Sequence, residues 1–243
     1  MALDPIYNTR PTDSLFVDCV VTPLTESEAT YYLKTAWKNI YNVYPSLNSL
    51  ALLWAQSAGE TGRWKMLRNN NWGNIKRNNS SGLWTSYLAG EIIKGKYYTF
   101  YPYHLQTHFA AWATPLEGAE SYIRFLSQRT RYQKAWVEVI AGDPVAYCRE
   151  LKAAGYFTDT LEHYTKGVVS LTNEFKKKSN VLMAWEPPLA PMPPPPPDEP
   201  EPIPEEPAPE PIPLPPKLKP TIVLEPKSNI FTVILDFIRR LFN

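Results

Sequence analysis

Proline is the residue that most constrains how this chain folds. Nineteen of its 26 prolines lie between Pro187 and Pro226, and eight acidic residues lie within 186–227. Because proline lacks a backbone N–H and has a fixed φ angle, such a segment cannot supply a packed core. We therefore predict a disordered, proline-rich linker over 186–227. An alternative is that its PxxP patterns are ligands for a proline-binding module.

Charge is distributed unevenly along the chain. Residues 1–185 carry a net charge of +5, whereas residues 186–227 carry a net charge of −5. A mild positive excess suits an anionic polymer, but it is too small for a nucleic-acid-binding surface, so no nucleic-acid partner is predicted. The two cysteines do not make a disulfide framework. No Cys or His pattern indicates a metal site, and no cofactor is implied.

Hydrophobic periodicity predicts that the globular part is mainly helical. Thr25 and Glu28 have the spacing of a capping box, and Ser46 precedes a strongly apolar helix. The expected fold class is mainly α (α+β), with one domain over 25–185 after an irregular segment, 1–24. Four further helices and one β-hairpin are predicted, the helices over 115–128, 130–140, 143–154 and 159–177 and the hairpin over 91–103.

The segment 228–243 has an amphipathic pattern. Apolar and polar side chains fall on opposite faces of a helix that begins after Ser228. This helix is too short and too charged to span a bilayer, so we predict that it binds a membrane surface or a protein partner. The alternatives are self-association and packing back on the globular domain. The first residues lack the basic start and apolar core of a Sec signal peptide, and none is expected.

The motif that carries chemistry is AQSAGETG over 55–62, followed by NNNWGNIK over 69–76. Glu60 falls at the end of an apolar helix beside glycines, where partial burial raises the pKa of a carboxyl group. A carboxylic acid that keeps its proton near neutral pH can protonate a glycosidic oxygen. Glu60 is therefore a candidate general acid.

Together with FLSQRTRY over 125–132, LKAAGYFTD over 151–159 and the pair His163-Tyr164, these motifs resemble the glucosaminidase-type peptidoglycan hydrolases. That group is glycoside hydrolase family 73, within the lysozyme-like superfamily. The chain departs from the family pattern at Gly59, which replaces a leucine-like residue, and by one residue inserted before Ile75. The resemblance implies a lysozyme-like helical domain with a small hairpin.

The resemblance also implies roles for individual residues. Glu60 matches the catalytic acid, and Tyr156 matches a tyrosine beside the active site. The family's proposed second carboxylate lies in the hairpin, where Glu91 is the only acidic residue between Glu60 and Glu117. The alternative to a second carboxylate is attack by the 2-acetamido oxygen of the substrate.

Substrate contacts are expected on the loop and hairpin. Asn71 and Trp72 match family positions that line the cleft. Apolar sugar faces stack on aromatic rings while sugar hydroxyls meet amide groups, so contacts are also predicted for Asn74, Trp84 and Tyr101.

The predicted function is hydrolysis of the β-1,4 bond between N-acetylglucosamine and N-acetylmuramic acid in bacterial peptidoglycan. Two alternatives stay open: a lytic transglycosylase or muramidase on the same fold, and a non-enzymatic glycan-binding or virion structural protein. A catalytic head, a long linker and an amphipathic helix suggest a phage enzyme for lysis or infection. It would be virion-associated or released from the infected cell, act in the periplasm or cell wall, and be tethered to a membrane.

Overall fold

The computed structural model describes residues 9–77, 82–93 and 96–188, and over these residues the fold is mainly helical with a small amount of β-structure, as predicted. The linker beyond residue 188 and the helix predicted over 228–243 lie outside the described residues. Within them, six α-helices are present: α1 (Glu26–Tyr41), α2 (Leu47–Glu60), α3 (Pro115–Gln128), α4 (Gln133–Ala141), α5 (Pro144–Ala153) and α6 (Leu161–Ala184).

Local capping signals set the starts of these helices. The Thr25 side chain accepts a hydrogen bond from the backbone N–H of Glu28, and the Glu28 carboxylate accepts one from the backbone N–H of Thr25, at 2.8 Å. Helix α3 begins with the same reciprocal arrangement, formed by Thr114 and Glu117. Each box satisfies two N–H groups that a helix leaves unpaired at its start. The capping box predicted from the sequence is thereby confirmed.

Helix α2 forms the centre of the hydrophobic core. Every residue from Ser49 to Ala58 is buried, because this helix is apolar around most of its circumference. It packs most extensively against α6 and also contacts α1 and α4. The ring of Trp54 meets Trp64 edge to face, with 4.9 Å between ring centroids. The core thus surrounds the helix whose last residue is Glu60.

Two short antiparallel pairs make up the β-structure of the described residues. The predicted hairpin is present as β2 (Ala89–Ile93) and β3 (Lys96–Phe100), in which Glu91 lies opposite Tyr98. A second pair, β1 (Trp84–Ser86) with β4 (His108–Ala110), was not predicted. Its strands are three residues long and more than twenty residues apart in sequence, so neither carries a recognisable alternating pattern.

The segment before α1 is hydrogen-bonded to the domain. Residues 9–24 form no helix, in agreement with the predicted irregular segment. The N–H of Val17 donates to the carbonyl of Trp84, and the N–H of Thr22 donates to the carbonyl of Leu67, both at 2.8 Å. Bonds of this kind satisfy backbone groups that no helix or sheet pairs. This segment therefore supports the loop that precedes the hairpin.

A charged network joins the start of α1 to the second half of α6. Arg63 donates to Glu26 at 2.9 Å and to both carboxylate oxygens of Glu174, and Lys178 contacts Glu26 at 3.0 Å. Hydrogen bonds from Arg63 and Lys178 lower the pKa of Glu174 to about 2. The groups are partly exposed, so each pair adds little stability alone.

Two remaining features concern membranes and thiols. None of the helices in the described part of the chain combines the length and hydrophobicity that a transmembrane helix requires. Cys19 is exposed and Cys148 is buried, and both are free thiols. Cys148 behaves as a small apolar core side chain, which is the usual setting of a buried free cysteine.

Candidate active site

Glu60 lies at the wall of a cleft of about 690 Å³. It is the last residue of α2, so its side chain leaves the core where the helix ends and Gly62 takes a positive φ of 56°. The opposite walls come from the loop 73–77, from residues 87–91 at the start of the hairpin, and from the loop 155–159. The helix end thus presents a carboxyl group to a cleft formed by distant parts of the chain.

Two polar residues hold Glu60 in place. The hydroxyl of Tyr164 donates to Oε1 of Glu60 at 2.9 Å, and Nδ2 of Asn74 donates to the Glu60 carbonyl at 2.6 Å. The Tyr164 ring stacks on Phe157, with 3.7 Å between centroids and 9° between planes. Because the stack fixes the phenol, the bond to Oε1 leaves Oε2 of Glu60 as the oxygen available to carry a proton.

Burial raises the pKa of Glu60 to about 7. Removal of the carboxylate from water is the largest cause, and the hydrogen bond from Tyr164 to Oε1 offsets part of it because it favours the charged form. A carboxyl group with this pKa is largely protonated at pH 6 and can still release its proton. This is the property that a general acid requires.

Loss of the Tyr164 hydroxyl is expected to move the pH dependence of activity. In Tyr164→Phe the ring stack on Phe157 can persist, but the bond that favours the Glu60 carboxylate is gone. The pKa of Glu60 then rises further, and the alkaline limb of the kcat–pH profile moves up by about one pH unit. Profiles measured from pH 4 to 9 for Tyr164→Phe and for the exposed control Tyr101→Phe check this. An alkaline limb that stays in place would contradict the role given to this hydrogen bond.

Glu91 reaches the same cleft from β2. Its Oε1 lies 3.1 Å from Nζ of Lys76, and both residues line the cleft. The Lys76 ammonium also sits 4.1 Å from the centroid of the Phe109 ring. The structure thus brings the predicted second carboxylate and Glu60 to one cavity, with Glu91 held beside a cation.

Two further predicted site residues, Tyr156 and Asn74, also line the cleft. The Tyr156 hydroxyl donates to the carbonyl of Gly73 at 3.0 Å. A Cβ atom at Gly73 would lie 2.9 Å from that hydroxyl, so only glycine permits this approach. Burial raises the pKa of Tyr156 well above its ordinary value, which keeps the phenol protonated. Asn74 lines the cleft, but its amide N–H donates to the backbone carbonyl of Glu60.

Asn71 and Trp72 are placed differently from the prediction. Asn71 is 1% exposed, and its amide bonds to backbone groups of Ile75 and Ala110. Trp72 is fully buried, and its indole N–H donates to the carbonyl of Pro115. Neither residue lines the cleft. The prediction that they contact substrate is corrected, because both side chains anchor the loop to the domain.

Trp84 and Tyr101 also lie outside the cleft. Trp84 is 2% exposed and donates through Nε1 to the carboxylate of Asp13, so its ring packs inside the domain. Tyr101 is about half exposed and is not among the residues that line the cleft. The prediction of substrate contact is corrected for Trp84, because its ring is buried, and stays a prediction for Tyr101.

Sequence reasoning gave no role to several groups that the structure places at the cleft. Tyr164 was noted only as part of a motif, yet it touches Glu60 directly. Seven aromatic rings and several basic residues line the cleft. The basic ones come from separate short stretches of the chain, so no long charge run signalled them: Arg68, Lys76, Arg77, Arg129 and Arg131. Over the described residues, no cluster of three His, Cys, Asp or Glu side chains is suited to hold a metal ion.

A protein-family model also matches this chain. The family model of the glucosaminidases, described as mannosyl-glycoprotein endo-beta-N-acetylglucosaminidase, matches residues 34–177. The chain is therefore a glycoside hydrolase. Since the match covers more than half of the chain, the chain belongs to the glucosaminidase family, as its motifs predicted.

Solved structures that match part of the chain were also found. A peptidoglycan hydrolase from Sphingomonas sp. A1 is 21% identical, with a TM-score of 0.46 over 66% of this chain and 99% of that chain. A C-terminally truncated glycoside hydrolase domain from Salmonella typhimurium FlgJ is 20% identical, with a TM-score of 0.42 over 63% of this chain and 98% of that chain. No curated protein sequence matches the chain.

Proposed function

We propose that this chain hydrolyses the β-1,4 bond between N-acetylglucosamine and N-acetylmuramic acid in bacterial peptidoglycan. The observation that carries the proposal is Glu60: a carboxyl group with a pKa of about 7, fixed by Tyr164 at the wall of an aromatic-lined cleft. Membership of the glucosaminidase family supports cleavage beside N-acetylglucosamine. The basic residues at the cleft suit a polymer that carries carboxylates.

In the proposed reaction, Glu60 donates its proton to the glycosidic oxygen as the bond to the anomeric carbon breaks. The leaving sugar takes the proton and departs as an alcohol. Positive charge develops on the anomeric carbon, and water adds there to complete hydrolysis. The proton lost by that water restores the acid form of the enzyme.

Glu91 is proposed as the group that assists at the anomeric carbon, either by activating the water or by attacking directly. Its position on the cleft wall supports this role. The alternative, attack by the substrate's own acetamido oxygen, needs Glu60 and a residue that orients the acetamido group. The Tyr156 phenol, protonated and at the cleft, is the candidate for that orientation.

Replacement of Glu91 distinguishes the two routes. If Glu91 is the base or nucleophile, Glu91→Gln lowers kcat by about 10²–10⁴-fold with little change in KM, because its carboxylate acts mainly in the transition state. Lys76→Met removes the same ion pair while keeping the carboxylate, so it measures what loss of the pair alone costs. A kcat for Glu91→Gln close to that of Lys76→Met would assign the assistance to the acetamido oxygen.

The products define the reaction. Purified peptidoglycan is digested, and the new glycan ends are identified by mass spectrometry. Reducing N-acetylglucosamine ends are expected. Reducing N-acetylmuramic acid ends would show a muramidase, and anhydro ends would show a lytic transglycosylase. Binding to glycan without any cleavage, across several wall types, would leave the non-enzymatic alternative.

The setting of the enzyme stays a prediction from the sequence. We propose a phage-encoded enzyme for lysis or infection, tethered through residues 228–243 to a membrane surface or a protein partner. These residues lie outside those that the structure describes. Flotation of liposomes with a peptide of this segment checks the membrane part, and absence of binding would favour the protein partner.

A further inference from the structure

A second groove meets the catalytic cleft at Glu60. It shares Glu60, Asp159 and Tyr164 with that cleft and continues between the end of α2 and residues 163–171 of α6. Its lining differs in character. Seven aromatic rings line the cleft, whereas Tyr164 is the single Phe, Tyr or Trp among the described residues of the groove. Sugar faces stack on aromatic rings, so the groove is less suited to a sugar than the cleft is.

Two helical glycines give the groove its depth. Gly167 lies in the second turn of α6, and a Cβ atom there would meet nothing within 4 Å. Gly59 lies in the last turn of α2, and its Cβ would meet only Leu171, at 4.0 Å. Neither glycine has a positive φ. Glycine disfavours a helix, and neither the backbone nor the packing requires it here. Open space above these two positions is therefore what the glycines provide.

A buried amide side chain with an unpaired donor also lines the groove. Gln56 is fully buried and lines the groove. Its Oε1 accepts hydrogen bonds from the hydroxyls of Tyr122 and Tyr147, whereas its Nε2 has no hydrogen-bond partner. A buried amide N–H without an acceptor is unfavourable, and an acyl carbonyl is a suitable acceptor for it.

The charged groups of the groove favour an anion at its outer part. Lys166 is exposed and has no ion-pair partner among the described residues. The one competing carboxylate besides Glu60 is Asp159, which is already paired with Nδ1 of His163 at 2.5 Å and accepts the N–H of Thr160. An ammonium group without a partner at the rim is suited to a carboxylate.

We propose that this groove binds the peptide attached to the N-acetylmuramic acid residue next to the bond that is cleaved. The inference rests on the proposed function. A peptide offers an acyl carbonyl for Gln56, small side chains for the space above Gly59 and Gly167, and a free carboxylate for Lys166. The peptide is attached to the sugar ring through a lactyl ether. A peptide next to the scissile bond therefore begins close to Glu60, where the cleft and the groove meet. The enzyme is thereby selective for peptide-bearing glycan strands.

The proposal is tested by measuring cleavage of two substrates: glycan strands that carry their peptides, and the same strands after an amidase has removed the peptides. Gly167→Leu places a side chain in the groove at a position where the protein has room for it. We expect kcat/KM on peptide-bearing strands to fall about tenfold relative to wild type, and kcat/KM on peptide-free strands to stay within about twofold. The melting temperature should not fall, since leucine is the better helix former.

Matched variants separate groove binding from general effects. Asn173→Leu adds the same side chain to an exposed position of α6 outside the groove, and selectivity should not change. Lys166→Glu should weaken cleavage of peptide-bearing strands selectively, whereas Lys177→Glu, with the same change in net charge at another exposed site, should not.

The possible outcomes are distinct. An equal loss on both substrates for Gly167→Leu would show that the groove holds sugar, which would overturn the proposal. So would unchanged rates on both substrates. Failure of the wild-type enzyme to cleave either kind of strand would instead overturn the proposed function.

Discussion

Glu60→Gln is expected to lower kcat by roughly 10³-fold or more while leaving the protein folded. Glutamine keeps the size and the hydrogen bond that Tyr164 donates to Oε1, but it has no proton to transfer to the glycosidic oxygen. Release of soluble fragments from purified peptidoglycan measures the loss. Glu162→Gln, at the exposed first turn of α6, is the matched control and should retain full activity. Retention of more than a tenth of wild-type activity by Glu60→Gln would remove Glu60 from the mechanism.

The same substitution should make the protein more stable at alkaline pH. The pKa of Glu60 is about 7 in the folded protein and ordinary, near 4.5, in the unfolded chain. Between these values the folded state binds more protons, so the wild-type free energy of unfolding falls as pH rises through this window. Glutamine does not ionise. Urea unfolding should therefore give similar values for both proteins at pH 4 and an advantage of about 3 kcal/mol for Glu60→Gln at pH 8.

Trp72→Ala is expected to lower the free energy of unfolding by about 3–5 kcal/mol, since it leaves a large cavity in the core. Trp72 is fully buried, and loss of its indole also leaves the carbonyl of Pro115 without its donor. Urea unfolding at neutral pH measures the change. Tyr101→Ala, at a half-exposed ring outside the cleft, should cost less than about 0.5 kcal/mol. A Trp72→Ala protein of wild-type stability with a raised KM would instead restore the substrate-binding role that the sequence suggested.

The contrast between Trp72 and Glu60 shows how far the sequence alone could lead. Helix starts such as Thr25 with Glu28 are specified within four residues, so they can be read directly. Glu60 could be found because it ends an apolar helix within the motif AQSAGETG, which with NNNWGNIK resembles the glucosaminidase family. Trp72 lies in a loop rich in asparagine and glycine, where a ring is expected on the surface. Its burial depends on Pro115, more than forty residues away, and no local pattern reports that contact.

The same argument explains which site residues escaped prediction. Tyr164 reaches Glu60 across 104 residues of sequence, and a tyrosine near the start of a helix has no local mark of such a role. The pairing of β1 with β4 likewise depends on residues distant in sequence. Glu91 could be predicted because the family resemblance implies a second carboxylate in the hairpin and Glu91 is the only acidic residue between Glu60 and Glu117. The structure places Glu91 on the cleft wall.

The ion pairs between Glu26 and Lys178 and between Lys34 and Glu186 have an architectural consequence. They fasten α1, the first helix of the domain, to α6, the last helix of the described residues, and to the chain just after it. Because α6 also supplies Tyr164, which donates to Glu60, the site at the end of α2 is complete only when this last helix is in place.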